Sequence, residues 1–212
     1  MPASHEGPIT AVVLDLGNVV VGWDPSLPLA DRMDRDQWQA FAQAVDFPTW
    51  NALADRGVPV REVVRRATAA DPVRGPLLGE YFRRFGDSLT GPVPGMAAVI
   101  SDLKTAGMRV LGLTNWSAET YPHAPRSAPA IRDLDAVVVS GAEGLAKPDP
   151  ELFRRMARRY DLASGQTVFV DDTQRNVRAA ADLGFRTVLF AGATGLRAEL
   201  ARLGVLGGPV SH

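Results

Sequence analysis

Five short apolar runs punctuate the chain. Residues 9–16 read ITAVVLDL, 108–114 MRVLGLT, 134–139 LDAVVV, 167–170 TVFV and 186–190 RTVLF. Each is near-continuous in Val, Leu, Ile or Phe rather than alternating with polar residues. That pattern predicts strands buried on both faces of a parallel sheet. Between the runs the period changes from two to between three and four. Residues 95–105 put Met96, Val99, Ile100 and Leu103 on one face and stop before Gly107. Residues 150–160 do the same with Leu152, Phe153, Met156 and Tyr160, and residues 174–183 with Val177, Ala180, Ala181 and Leu183, ending at Gly184. These are amphipathic helices with glycine stops. Strand and helix in alternation give an α/β fold with a doubly wound parallel sheet.

The alternation breaks between residues 22 and 92. This stretch reads as helices only, among them 35–45 and 60–69, separated by Pro and Gly. The expected organisation is therefore an α/β core from residues 1–21 and 93–212, with a small all-helical cap domain, 22–92, inserted after the first strand. An insert at that point sits over the carboxyl ends of the strands, where open α/β sheets bind their ligands. No internal repeat or low-complexity tract is visible, and the C-terminal GGPVSH reads as a frayed end.

Composition narrows the function classes. The 212 residues are 46% hydrophobic, enough for one good core carrying a small insert. A formal net charge of −1 supplies no overall field for nucleic acid or an anionic membrane. The chain has no cysteine, which removes disulfides, thiolate metal sites and thiol nucleophiles and suits a reducing compartment. The N-terminal MPASHEGPIT lacks the pattern of a signal peptide, and no apolar run reaches bilayer length. The expectation is a cytoplasmic protein, monomer or homodimer, acting on a small molecule.

The candidate chemistry lies where the strands end. Asp15, Leu16, Gly17 and Asn18 follow the first strand, Thr114 and Asn115 the second, Lys147 the third, and Asp171 and Asp172 the fourth. A parallel sheet points all these ends to one edge, so carboxylates, an ammonium and a hydroxyl converge. Close carboxylates repel each other unless a cation lies between them. A hard cation with oxygen ligands, Mg²⁺, fits Asp15 and Asp172. That cation, Lys147 and Thr114 can hold the equatorial oxygens of a phosphoryl group, and Asp15 can attack in line to form an aspartyl phosphate. Singly, each residue has an ordinary reading as a turn, cap or packing residue. Four in order at successive strand ends do not.

The same four segments resemble the motifs of the haloacid dehalogenase superfamily. VVLDLGNVVV is similar to the first, with Asp15 as nucleophile. LGLTN is similar to the second, GLAKPDPELF to the third, and VFVDDTQRNVRAA to the fourth. The resemblance spans about residues 10–190, and the insert resembles the helical cap of one subfamily. It implies a metal held by Asp15, the Gly17 carbonyl and the Asp171–Asp172 pair, principally Asp172. It implies a phosphate held by Thr114 and the Asn115 amide, with Lys147 neutralising charge. Asn176 falls where some members carry a further acid near the metal.

One position departs from the pattern. Phosphatases of this superfamily usually carry a second Asp two residues after the nucleophile, to protonate the leaving group and activate water. Gly17 stands there instead. Asp24, His123 or an ordered water are the sequence-level substitutes, and a sugar 1-phosphate would suffer least from the loss. A metal-independent 2-haloacid dehalogenase is one rival reading, although the Asp171–Asp172 pair counts against it. A non-catalytic binding domain is another. Trp23 and Asp24 are expected to bind substrate. Asn51 and Arg56 are candidates for the cleft wall, Trp116 for packing on substrate or cap, and Trp50 for the interior of the cap.

Overall fold

A computed structural model of the chain describes residues 7–207. Its main sheet has five strands, β1 (Ala11–Leu14), β4 (Arg109–Thr114), β5 (Ala136–Val139), β6 (Thr167–Asp171) and β7 (Arg186–Leu189), in the order β5-β4-β1-β6-β7. All four pairings are parallel, and β1 is central, with Leu14 opposite Gly112 on β4 and Val170 on β6. The five apolar runs are these five strands. Fully buried β1 has no polar face, which is why its run shows no alternation.

Alternate residues of the strands feed two cores. Val12, Leu14, Val168 and Val170 face one side, with Met96, Val99 and Ile100 of α5 (Met96–Thr105) and Leu196 and Leu200 of α10 (Ala193–Arg202). Val13, Leu111, Leu113 and Phe169 face the other, against Leu152, Phe153 and Met156 of α8 (Pro150–Arg159) and Ala180 of α9 (Gln174–Asp182). Helices on both faces of a parallel sheet are the doubly wound arrangement. One-turn helices α6 (Ala124–Ser127) and α7 (Ser140–Glu143) flank β5. Helix α10 had no counterpart in the sequence reading, because its pattern, ATGLRAELAR, is short and interrupted by Gly195.

The stretch read as helices only requires a correction. Four helices are present, α1 (Arg35–Ala44), α2 (Phe47–Asp55), α3 (Val60–Ala70) and α4 (Gly75–Arg83), but they leave and return through a two-stranded antiparallel ribbon, β2 (Val21–Trp23) with β3 (Leu89–Pro92). Val21 pairs with Pro92 and Trp23 with Leu89, across a register shift at Gly22. Strands of three and four residues are too short for a period to register, and their pairing is not local in sequence. The turn into the ribbon is local: Leu16 O accepts the amides of Val19, Val20 and Val21, and Asn18, at φ 58°, accepts Trp23 N on its Oδ1 at 2.9 Å. Asn tolerates this left-handed conformation better than most residues.

An aromatic cluster forms the interior of the helical layer. Trp38 lies 5.2 Å from Phe47 and 5.8 Å from Tyr81, ring centroid to centroid, and Tyr81 lies 6.0 Å from Phe85. Phe85 continues to Trp116, just beyond β4, at 5.7 Å. One apolar cluster therefore runs from the sheet into the helical layer. Trp50 belongs to this interior, with its Nε1 donating to Val45 O at 2.7 Å. The terminal residues that include His5 and His212, and most of the GGPVSH tail, lie outside the described residues.

Candidate active site

The carboxyl ends of β1, β4 and β6 meet around one buried ammonium. Lys147 Nζ lies 2.9 Å from Asp15 Oδ1, 2.7 Å from Asp171 Oδ2 and 2.8 Å from Leu113 O. A reciprocal pair of hydrogen bonds fixes its backbone: Lys147 N donates to Asn115 Oδ1 at 2.7 Å and Asn115 Nδ2 to Lys147 O at 2.9 Å. Burial alone would pull the lysine's pKa down, but the two carboxylates outweigh it and the pKa stands above the ordinary value. Burial pushes Asp15 up to about 6, against the pull of Lys147, and the neighbouring charge of Asp171 adds to the rise. Asp15 Oδ1 also accepts the Leu16 amide at 2.7 Å.

The two acids after β6 have different surroundings. Asp171 is fully buried, and besides Lys147 it accepts from Thr173 N at 2.8 Å and from Asn176 Nδ2 at 3.1 Å. Asp172 is exposed, lines the cavity and accepts the Thr173 hydroxyl at 3.1 Å. Asp15, Asp171 and Asp172 each bring a carboxylate oxygen within 4.8 Å of the others, so an oxygen-ligated cation fits among them. Asn176 Oδ1 beside them is buried without a hydrogen-bond partner, an acceptor suited to a cation or its water. With Asp171 committed to Lys147 and Asn176, the exposed Asp172 is the acid of the pair left open to the cavity.

Around this edge is a cavity of about 240 Å³ whose walls include Asp15, Gly17, Asn115, Lys147, Asp172 and Asn176. A second cavity of about 820 Å³ shares its Trp23, Asn51, Asp55, Asn115, Lys147 and Arg175 wall and extends between the helices past Trp38 and Phe47. Thr114 ends β4 at 1% exposure, and its neighbours Asn115 and Trp116 form the wall. Trp23 faces both cavities, Asn51 lines both, and Arg56 lines the larger. Asp24 is not brought to this set: its carboxylate accepts from Ser26 N, Ser26 Oγ and Arg35, which hold its pKa below the usual range. His123 packs on Phe85 instead of reaching the cavity walls. Arg65 and Arg66 pair with Glu62, and Arg84 pairs with Asp31 and Asp87, on solvated faces.

A model of the haloacid dehalogenase-like hydrolase family matches residues 9–184. The chain belongs to this family of enzymes. The superfamily resemblance of the four motifs is thus upheld, as is the doubly wound sheet. Among characterised relatives, acyl-CoA dehydrogenase family member 10 of Mus musculus is 26% identical over 185 residues, 81% of this chain but 16% of that protein's length. Sesquiterpene phosphatase astK of Aspergillus oryzae is 25% identical over 175 residues, 82% of this chain and 86% of its own. The fold is shared with a family enzyme of Bacteroides thetaiotaomicron in complex with magnesium and inorganic phosphate. That match has a TM-score of 0.67 at 18% identity and covers 85% of this chain and 93% of that one. It is shared too with L-2-haloacid dehalogenase of Xanthobacter autotrophicus, at TM-score 0.63 and 19% identity over 96% of this chain and 85% of that one.

Two charged residues on the wall shared by both cavities have no place in the sequence analysis, Asp55 and Arg175. Both sit against the helix macrodipole. Asp55 is the last residue of α2, where a carboxylate meets the negative end. Arg175 is in the first turn of α9, where a cation meets the positive end. That placement is the signal by which they could have been found.

Proposed function

We propose that this hydrolase is a Mg²⁺-dependent phosphomonoesterase working through an aspartyl phosphate on Asp15. The observation that carries the reading is the triple carboxylate cluster closed by a buried lysine at the ends of β1 and β6. The metal, held by Asp15, Asp172 and the Gly17 carbonyl, would supply charge neutralisation for the phosphoryl oxygens. Lys147 fixes Asp15 through Oδ1 and leaves Oδ2 as the attacking atom. The Asn115 amide holds a phosphoryl oxygen, with Thr114 supporting the strand end behind it.

One side of the larger cavity offers contact to an apolar organic group. Trp23, Trp38, Phe47, Ala42 and Pro25 line it, and the cap reading of residues 22–92 makes it the substrate compartment. The similarity to a sesquiterpene phosphatase points the same way. The test compares phosphate release from p-nitrophenyl phosphate, a prenyl monophosphate and glucose 1-phosphate, with Mg²⁺ and with EDTA. Metal-dependent turnover that favours the prenyl ester is expected. Halide release from 2-chloropropionate without metal, and no phosphate release, would replace this reading with the dehalogenase.

A further inference from the structure

We propose that Asp55 is the proton donor and acceptor of the hydrolysis, acting from the helical layer where Gly17 offers no side chain. The inference rests on the phosphatase reading above. Three carboxylates among the described residues line the smaller cavity: Asp15, Asp55 and Asp172. Asp15 is the nucleophile, and Asp172 belongs with the metal ligands. Asp55 remains, and it borders the larger cavity too, at the junction where the ester oxygen of a substrate spanning both would lie. The space an acid at Gly17 would occupy is open, since a Cβ built there meets no atom within 4 Å. A leaving group can therefore be reached from the helical side.

Asp55 is held in place. Asn51 Nδ2 donates to its Oδ2 at 3.0 Å, the Ser117 amide donates to its carboxylate, and Ser140 Oγ donates to its backbone carbonyl at 2.5 Å. These partners belong to its own helix and to core segments after β4 and β5, so the side chain is fixed relative to the sheet edge. The charged and titratable groups around it are Asp15 and Lys147 below, Tyr81 within the layer, Arg56 next in the chain, and Asp172 and Arg175 on the shared wall. Burial, reinforced by Asp15 and partly offset by the Ser117 amide and Lys147, pushes Asp55 up to about 7. It can thus both hold and release a proton near neutrality.

The proton balance closes over the two half-reactions. As Asp15 Oδ2 bonds to phosphorus and the phosphorus–oxygen bond to the alcohol breaks, the Asp55 proton passes to the leaving oxygen. The Asp55 carboxylate then takes one proton from a water whose oxygen bonds to phosphorus. The bond from phosphorus to Asp15 breaks, inorganic phosphate leaves, and Asp55 is again protonated.

The test uses Asp55→Asn, which keeps an acceptor for the Ser117 amide, on an alkyl phosphate and on p-nitrophenyl phosphate. With the alkyl ester, whose leaving oxygen needs a proton, kcat/KM is expected to fall about 10²–10⁴-fold. With p-nitrophenyl phosphate, whose leaving group needs none, a burst of one equivalent of nitrophenolate is expected, followed by slow turnover as the aspartyl phosphate accumulates. Adding Gly17→Asp to that variant should recover about 10-fold or more of the alkyl-ester activity. In the unmodified enzyme, the alkyl-ester pH profile should carry a limb falling above about 7. Equal loss on both esters without a burst, no loss at all, or the absence of that limb would each overturn the assignment. An unmodified enzyme that hydrolyses neither ester would remove the phosphatase reading itself, and this inference with it.

Discussion

The sheet edge and the helical layer meet at one cavity but are built on different principles. At the edge, Asp15 follows β1, Asn115 follows β4, and Asp171 and Asp172 lie at the end of β6, so parallel pairing positions them; Lys147 does not follow its strand directly as the sequence suggests, because α7 separates it from β5. In the layer, Trp23, Asn51 and Asp55 hold their places through a bulged ribbon and an aromatic cluster whose members lie far apart in sequence. On the proposed reading, the edge holds the nucleophile and the metal ligands, and the layer supplies the substrate wall and the proton-transferring Asp55. A local rule fixes the first, whereas only the complete tertiary packing fixes the second.

Substitutions can sharpen that contrast, and the largest effects belong to the edge. Asp15→Asn should abolish turnover on every ester alike, by about 10⁴-fold or more, with an unchanged far-ultraviolet dichroism spectrum. Lys147→Met leaves Asp15 and Asp171 facing each other without their cation. It should cost about 3–5 kcal/mol, read as a lower urea midpoint, along with activity on all substrates. In the layer, Ala52→Trp narrows the larger cavity. It should lower kcat/KM for a bulky apolar ester about 10-fold or more while sparing p-nitrophenyl phosphate. A uniform loss on both would break the division of labour.

A pH experiment separates the two regions by stability alone. Asp55 titrates near 7 when folded, against an unfolded value of about 4. Between these values the folded chain keeps a proton that the unfolded chain has lost, so stability declines as pH rises. The contribution is complete below about 4 and gone above about 7. Urea midpoints of the metal-free protein should therefore fall from pH 5 to 7.5, and less steeply in Asp55→Asn. The smallest effect is expected at Glu62→Gln on α3, whose pairs with Arg65 and Arg66 are solvent-exposed, with activity and midpoint both unchanged.

What could be read from the sequence follows the same boundary. The five sheet strands and the helices α5, α8 and α9 were legible, because each carries its own period. The strand-end residues were legible because order along the chain becomes order along an edge. The ribbon was not, since Val21–Trp23 and Leu89–Pro92 are defined only by each other. Asp24 looked like a cleft residue by its position after Trp23, but Ser26 and Arg35 draw its carboxylate away. Asp55 belongs to no sequence motif, and only the packing of α2 gives it a cavity to face.

The Lys147 ammonium has three protons and three acceptors, Leu113 O in β4, Asp15 just beyond β1 and Asp171 at the end of β6. These protons come to rest only when β4, β1 and β6 have all found their register. The centre of the site is thus a joint product of three chain segments rather than a feature of any one of them. A partly assembled chain would hold Lys147 as a free, exchanging amine. A slowly exchanging ammonium signal from this lysine in a nitrogen-15 spectrum would then mark completed sheets in a refolding mixture, without any substrate being added.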